Sequence, residues 1–199
     1  MKEFRIFTEG PSDVRFLRDY IAERFEVNLS VSDHFDTLGS CFAYKTDGIL
    51  KQSIRLAHDD RKHIILVLDA DDDFTTRQAK VLGDFQGFNV TPHIFLFPNN
   101  KAKGNLEVLL SHIATKRKLI DCFGAYQKCI EGYQLPDDNK ARIFAYLEAL
   151  LPSANTEGGH KDLIQPQNRN YRNRDHWDLH HAYLQPLHDF LSPFFIETT

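Results

Sequence analysis

The sequence predicts an α/β fold in which a mostly parallel, four-stranded sheet is flanked by helices. Short apolar segments alternate with segments of helical periodicity over the first half of the chain, which is the pattern of the strand–helix units that build parallel sheets. Residues 64–68 read IILVL, an all-apolar run typical of a strand that is covered on both faces. After Pro98 the periodicity becomes mostly helical, so a helical half is expected to pack on the α/β half.

The individual elements follow in order from the periodicity. Strands are predicted at 4–8, 28–35, 64–68 and 93–97, and helices at 14–25, 47–57, 75–85, 106–113, 119–129, 141–151 and 179–195. Ser12 is the predicted N-cap of the first helix, with Asp13 placed favourably for the helix dipole. We therefore predict an α/β core over residues 1–110 and a helical extension over residues 111–199, together forming one compact domain.

The composition indicates a globular protein of the cytoplasm. Of the 199 residues, 42% are hydrophobic and 26% are charged, and the formal net charge is −4. The chain contains no apolar run of about 20 residues that could span a bilayer, and MKEFRIFTEG lacks the apolar stretch of a signal peptide. The three cysteines include no CxxC pair, so we expect reduced thiols, with Cys122 and Cys129 buried on one helix face.

An acidic motif follows the third predicted strand. The segment VLDADDD carries Asp69 and Asp71, whose side chains project to the same side because side chains alternate along a strand. Neighbouring carboxylates repel by on the order of 1 kcal/mol or more, and hard oxygen ligands of this kind suit Mg²⁺ or Mn²⁺. The alternative is a solvated turn in which Asp72 or Asp73 caps the next helix.

A second acid, Glu9 in IFTEGPSD, ends the first predicted strand. Together with the Asp-x-Asp motif it resembles the TOPRIM domain of topoisomerases, bacterial primases and overcoming-lysogenization-defect nucleases. The segments FPNNKAKGNLEVLL, KARIFAYL and HWDLHHAYLQPLHDFL are similar to small stand-alone prokaryotic TOPRIM-like proteins. The resemblance implies a Rossmann-like fold and a metal-dependent phosphotransfer centre.

The resemblance also implies roles for individual residues. It assigns metal binding to Asp69, Asp71, Glu9, Asp13, Asp73 and Glu107, where Glu9 either completes metal binding or acts as general acid/base. It places a small polar ligand at Asn105. At Lys103 the sequence departs from the family, which has a further carboxylate there, and this departure argues against a complete second metal site. Lys140, with Lys161 behind it, is the candidate for neutralising the charge on the phosphate.

Basic residues mark a candidate nucleic-acid surface, although the net charge gives no global basic footprint. Arg169, Arg172 and Arg174 lie around Tyr171 and Trp177, and Lys103 is a further candidate contact. A solvated charged face is the alternative for each. His176 and His180 have the spacing of helical zinc ligands, but their surroundings favour solvated histidines.

We therefore expect a magnesium- or manganese-dependent phosphodiester hydrolase acting on DNA or RNA. A phosphatase of the haloacid-dehalogenase kind, with Asp69 as nucleophile, is the alternative enzyme, and a non-catalytic metal- and nucleic-acid-binding module is the alternative outside enzymes. No glycine-rich phosphate loop is present, so any cooperating ATPase is expected to be a separate polypeptide. A homodimer is compatible with the sequence.

Overall fold

The computed structural model describes residues 2–39, 48–88, 90–130, 133, 138–151 and 163–196. The strands are β1 (Phe4–Thr8), β2 (Phe35–Thr37), β3 (His63–Asp69) and β4 (His93–Phe97). The helices are α1 (Pro11–Arg24), α2 (Val31–His34), α3 (Gly48–Asp59), α4 (Phe74–Gln86), α5 (Leu106–Ile113), α6 (Arg117–Cys129), α7 (Asp138–Ala149) and α8 (Gln185–Phe195). Two 3₁₀ turns lie at Pro166–Asn168 and Ala182–Leu184.

The four strands form one parallel sheet in the order β2–β1–β3–β4. The fold class is therefore α/β, as the sequence predicts, with a Rossmann-like parallel sheet between helices. In the register of the two central strands, Thr8 pairs with Val67. Because all four strands run the same way, their carboxyl ends lie along a single edge of the sheet.

Alternate residues of each strand supply two separate cores. Ile6, Ile65 and Val67 join the first core, which includes α1 and the helical half, whereas Phe7 and Leu66 join the second, which includes α3 and α4. Burial of each such side chain stabilises the fold by roughly 1.5–3 kcal/mol. Burial on both faces explains why β3 is apolar throughout rather than alternating.

The helical half packs on the first core through aromatic residues. Trp177 and Tyr171 are buried with α1 and α5 in one cluster, and Trp177 forms an isolated β-bridge with Ala114. The Asp19 carboxylate of α1 accepts a hydrogen bond from the Tyr171 backbone N–H at 2.8 Å. The segment that contains Tyr171 is thereby fixed to α1.

The structure corrects three predictions about individual elements. Residues 28–34 are not a strand, since Val31 is exposed and begins α2, and the strand β2 begins only at Phe35. Gly10 rather than Ser12 is the N-cap of α1, with the Asp13 carboxylate accepting from the Gly10 N–H. The last helix begins at Gln185 rather than at residue 179, because Pro186 is best accommodated in a first helical turn.

The cysteine prediction is also wrong where the structure tests it. Cys122 and Cys129 lie on α6 and are exposed, because the face of α6 that packs inward is the one that carries Ile120. Cys41 lies outside the described residues. Among the helices that the structure describes, none combines the length and the apolar character that crossing a bilayer requires.

Candidate metal centre

Glu9 and Asp69 meet at the carboxyl edge of the sheet. Glu9 directly follows β1, and Asp69 is the last residue of β3. Because β1 and β3 are parallel neighbours, the two residues lie side by side. The Glu9 Oε1 atom accepts a hydrogen bond from the Asp69 backbone N–H at 3.2 Å. The structure thus brings together two acids that are 60 residues apart in the sequence.

Asp13 joins them from the first turn of α1. Its Oδ2 atom accepts from the Gly10 backbone N–H at 2.8 Å, and the residue is buried. Burial raises the pKa of Asp13 to about 7, and the negative charges of Glu9 and Glu107 add to the increase. The hydrogen bond from Gly10 acts in the opposite direction but is outweighed by burial.

Asp69 carries the largest perturbation at this edge. Burial, followed by the charges of Asp13, Glu9 and Glu107, raises the pKa of Asp69 to about 9. Its Oδ1 atom accepts from the Leu106 backbone N–H at 3.1 Å, at the start of α5, where Glu107 is also buried. We refer to Glu9, Asp13, Asp69 and Glu107 as the acidic cluster.

Arg77 supplies positive charge to the acidic cluster. It is not among the site residues that the sequence predicts. Its Nη2 atom donates to Glu9 Oε1 at 2.6 Å, and its Nε atom donates to the Asp69 carbonyl at 3.1 Å. The Asp71 carboxylate lies 3.5 Å from the same Nε atom. Arg77, Val81 and Phe85 recur every fourth residue and are the buried residues of α4. This spacing is the one feature of the sequence that indicates burial of Arg77.

The loop after β3 is held against the loop before α5. Asp71 and Gly104 exchange two backbone hydrogen bonds of 3.0 and 2.8 Å, and Asp71 takes a positive φ of 54°. Gly104 has a φ of 130°, and a Cβ atom there would lie 2.9 Å from Val108 Cγ2, so only glycine fits. Strained backbone of this kind is concentrated at functional sites.

Asp73 does not face the acidic cluster. Its side chain accepts from the Thr76 backbone N–H at 2.7 Å and caps α4. The capping alternative considered for DADDD therefore holds for Asp73. Asn105 plays the same part at α5, where its side chain accepts from the Val108 N–H.

The donor chemistry of the acidic cluster fits a hard divalent cation. Crowded carboxylates with raised pKa values hold protons near neutral pH, and a dication can take the place of those protons. In the described parts of the chain, no three His, Cys, Asp or Glu side chains are arranged closely enough to hold an ion as they stand. Glu9, Asp13 and Asp69 each turn one carboxylate oxygen toward a backbone N–H or toward Arg77.

Arg169 corrects the predicted nucleic-acid surface. It is 3% exposed, and its guanidinium donates to the carbonyls of Leu163 and Ile164 and to the Tyr171 hydroxyl. A guanidinium whose donors are used inside the protein cannot contact a phosphate backbone. Arg169 instead holds the polypeptide beside α1.

Arg172 and Arg174 remain at the surface, where both pair with Glu23 at 3.3 and 2.7 Å. These hydrogen bonds hold the pKa of Glu23 below its usual range. Lys103 is exposed and directly precedes Gly104. In the sequence it lies four residues before Glu107 of the acidic cluster.

Lys140 is exposed in the first turn of α7, a helix that packs on α5 and α6. The role of Lys140 in neutralising the charge of a phosphate stays a prediction. Lys161 lies outside the described residues. His176 and His180 do not share a helix, because the chain turns between them.

Comparison with known proteins gives one match. The model of a family described as "Protein of unknown function (DUF3226)" matches residues 3–196. A search of curated proteins and a search of solved structures each find no match.

The raised pKa values predict how stability depends on pH when no divalent cation is present. Between about pH 4 and pH 9 the carboxyls of Asp13 and Asp69 bind more protons in the folded state than in the unfolded chain, so the contribution of these two groups to the free energy of unfolding falls as pH rises. Asp69→Asn removes the most perturbed carboxyl and keeps an acceptor for the Leu106 N–H. We expect it to stabilise the protein by on the order of 2 kcal/mol at pH 8 and by much less at pH 5. Urea denaturation of both proteins in chelator, at pH 8 and at pH 5, measures this difference. An equal stabilisation by Asp69→Asn at the two pH values would contradict the prediction.

Because Arg77 and Glu9 form an ion pair, we expect substitutions of the two residues to have non-additive effects on the free energy of unfolding. Arg77→Met removes the buried guanidinium that pairs with the half-buried Glu9 carboxylate and is expected to destabilise the protein by roughly 3 kcal/mol. Adding Glu9→Gln removes one of those charges, so the double variant should be more stable than Arg77→Met alone. A double-mutant cycle followed by urea denaturation measures the coupling; additive single effects would contradict it.

Proposed function

This chain belongs to the DUF3226 family, and we propose that it is a divalent-metal-dependent phosphodiester hydrolase that acts on DNA or RNA in the cytoplasm. The main support is the convergence of Glu9, Asp13, Asp69 and Glu107 at the carboxyl edge of a parallel sheet. Perturbed pKa values gather at functional sites, because crowding of charge costs stability that a purely structural site would avoid. The Asp-x-Asp motif and Glu9 match the pattern of the TOPRIM resemblance.

The residues of this chain would divide the work between holding a cation and placing a phosphate. Glu9 is fixed through Oε1, and its Oε2 atom accepts no hydrogen bond from the described residues. Asp69 is fixed through Oδ1 in the same way, with its Oδ2 atom left over among the described contacts. These two oxygens are the ones that could bind a cation, or in the case of Glu9 receive a proton from water. A bound Mg²⁺ or Mn²⁺ supplies charge neutralisation of the phosphate and a lowered pKa of bound water.

Basic residues would place the rest of the nucleic acid. Lys103 is a candidate phosphate contact because its loop is bonded to Asp71 through Gly104. Arg172 and Arg174 could contact phosphate at the cost of their pairs with Glu23, which are exposed and therefore weak. Lys140 remains the proposed lysine for charge neutralisation.

One observation favours a second candidate, a non-catalytic module that binds metal and nucleic acid. Glu9, Asp13 and Asp69 each direct one carboxylate oxygen toward a protein donor, and among the described residues no three His, Cys, Asp or Glu side chains are grouped closely enough to hold an ion. A module of this kind would bind the cation and the polyanion without cleaving the strand. Measurements of cleavage and of binding, made separately, distinguish it from the hydrolase.

The hydrolase predicts that cleavage depends on the acidic cluster. Labelled single-stranded DNA, duplex DNA and RNA should be cleaved in Mg²⁺ or Mn²⁺, with a loss of about 100-fold or more in Asp69→Asn and in Glu9→Gln. Asp121→Asn is the matched control, because it removes an exposed carboxylate from α6. Cleavage that persists in Asp69→Asn and in chelator would reject the proposal. A phosphate mimic trapped on Asp69 would point to the phosphatase instead.

Metal binding itself is expected to release protons. At pH 7 the Asp69 carboxyl is protonated and that of Asp13 is about half protonated, so one Mg²⁺ should displace about one to two protons. Calorimetric titration in two buffers of different ionisation enthalpy measures this number. Asp69→Asn should lower it by about one, whereas binding with no proton release would contradict the assignment of the site.

A further inference from the structure

A groove runs along α1 from its first residue, Pro11. Its cavity volume is about 310 Å³, and it is lined by Pro11, Val14, Arg15, Arg18, Val31, Thr37, Pro166 and Gln167. We call this cavity the α1 groove. Its walls are mainly apolar, and two arginines of one helix stand in it.

The α1 groove begins at the carboxyl edge of the sheet. Pro11 is the first residue of α1 and lies between Glu9 and Asp13 in the chain. Thr37 ends β2 and pairs with Thr8, the residue directly before Glu9. Neighbouring strands lie about 4.8 Å apart, so this end of the groove adjoins the acidic cluster.

The two arginines differ in what they bind. Arg15 donates from Nε to the Arg169 carbonyl at 2.8 Å and lies 3.5 Å from the Asp19 carboxylate. Arg18 is half-buried, and none of the described residues forms a hydrogen bond or an ion pair with it. It acts on Asp19 only through its charge. Arg18 is therefore the guanidinium in the α1 groove that can bind an anion from outside.

The position of Arg18 suits a polyanion that also occupies the acidic cluster. Arg18 lies seven positions after Pro11 in α1, a rise of about 10 Å along the helix axis. An anionic group at Arg18 and a phosphate at the acidic cluster could therefore belong to one chain molecule. Between them lie Val14, Val31 and Pro11, apolar surfaces on which a flat ring can rest.

We propose that the α1 groove binds an unpaired nucleotide of a single-stranded nucleic acid, with the base against its apolar walls and a backbone phosphate at Arg18. The inference rests on the proposed function, which places the scissile phosphate of the same strand at the acidic cluster. A single strand fits because its bases are unstacked and free to enter an apolar pocket. A duplex keeps its bases paired and stacked, so only its backbone could reach Arg18.

Binding measured without cleavage tests the α1 groove. Fluorescence anisotropy in Ca²⁺ should show tighter binding of a labelled single strand than of its duplex. Arg18→Gln should weaken the single strand about 10-fold and reduce the slope of log affinity against log salt by about 1. Arg61→Gln is the matched control, because it removes an exposed arginine directly before β3, at the opposite edge of the sheet. Its slope should equal that of the wild type.

A second arm tests the apolar walls. Single strands with an abasic nucleotide placed at successive positions should lose affinity at one position in the wild type. Val31→Asp changes an exposed residue, so folding is not at risk, and it should abolish that position dependence. DNA and RNA versions of the strand show which sugar the groove accepts.

The outcomes separate the two proposals. Equal affinity for strand and duplex, no binding at all, or an unchanged salt slope in Arg18→Gln would overturn the α1 groove as a nucleotide site. The predicted binding pattern, together with no cleavage in Mg²⁺ or Mn²⁺, would overturn the hydrolase and leave the groove assignment standing.

Discussion

Burial of carboxylates, together with repulsion among them, is the constraint on which the carboxyl edge of this protein depends. Four acids gather there, and Asp13 and Asp69 have pKa values raised to about 7 and about 9. Each is partly compensated by a fixed donor: the Gly10 N–H for Asp13, and the Leu106 N–H for Asp69. Arg77 adds a guanidinium for Glu9. These bonds lower the cost of burial without removing it, so the two apolar cores must supply the stability that the acidic cluster subtracts.

The parallel topology explains why acids so distant in sequence meet. All strands end at one edge, and every helix that follows a strand begins there, so helix N–H groups point toward the same space. α1 contributes Asp13 and the Gly10 N–H, and α5 contributes Glu107 and the Leu106 N–H. The Asp71–Gly104 bridge then ties the loop after β3 to the loop before α5. The acidic cluster is therefore a product of chain direction rather than of any single motif.

The sequence predicts the parts of the fold that have a strong periodic signal. Strands 4–8 and 93–97 and helix 106–113 are confirmed with their limits unchanged, because apolar spacing alone defines them. The meeting of Glu9 with Asp69 follows from parallel order. The spacing of Arg77 with Val81 and Phe85 could indicate that Arg77 lies on the buried face of α4. It could not indicate that the guanidinium binds Glu9, because that contact depends on the tertiary structure. The prediction that Arg169 contacts nucleic acid was wrong for the same reason. Its partners are mostly backbone carbonyls, which the sequence pattern of side chains does not indicate.

The acidic cluster and a negatively charged substrate can share one site only if the negative charge is neutralised. Protons do this in part near neutral pH, as the raised pKa values of Asp13 and Asp69 indicate, but a protonated carboxyl is a poor ligand for a cation. A divalent cation replaces the protons and leaves the carboxylates as ligands. Cation and polyanion would therefore favour each other's binding, and by linkage the coupling must be reciprocal. Arg18 stands outside this competition, because it lies roughly two turns of α1 beyond Pro11, at the end of the groove away from the acids. A protein with a net charge of −4 could in this way hold a nucleic acid strand through local cationic contacts and one bound ion.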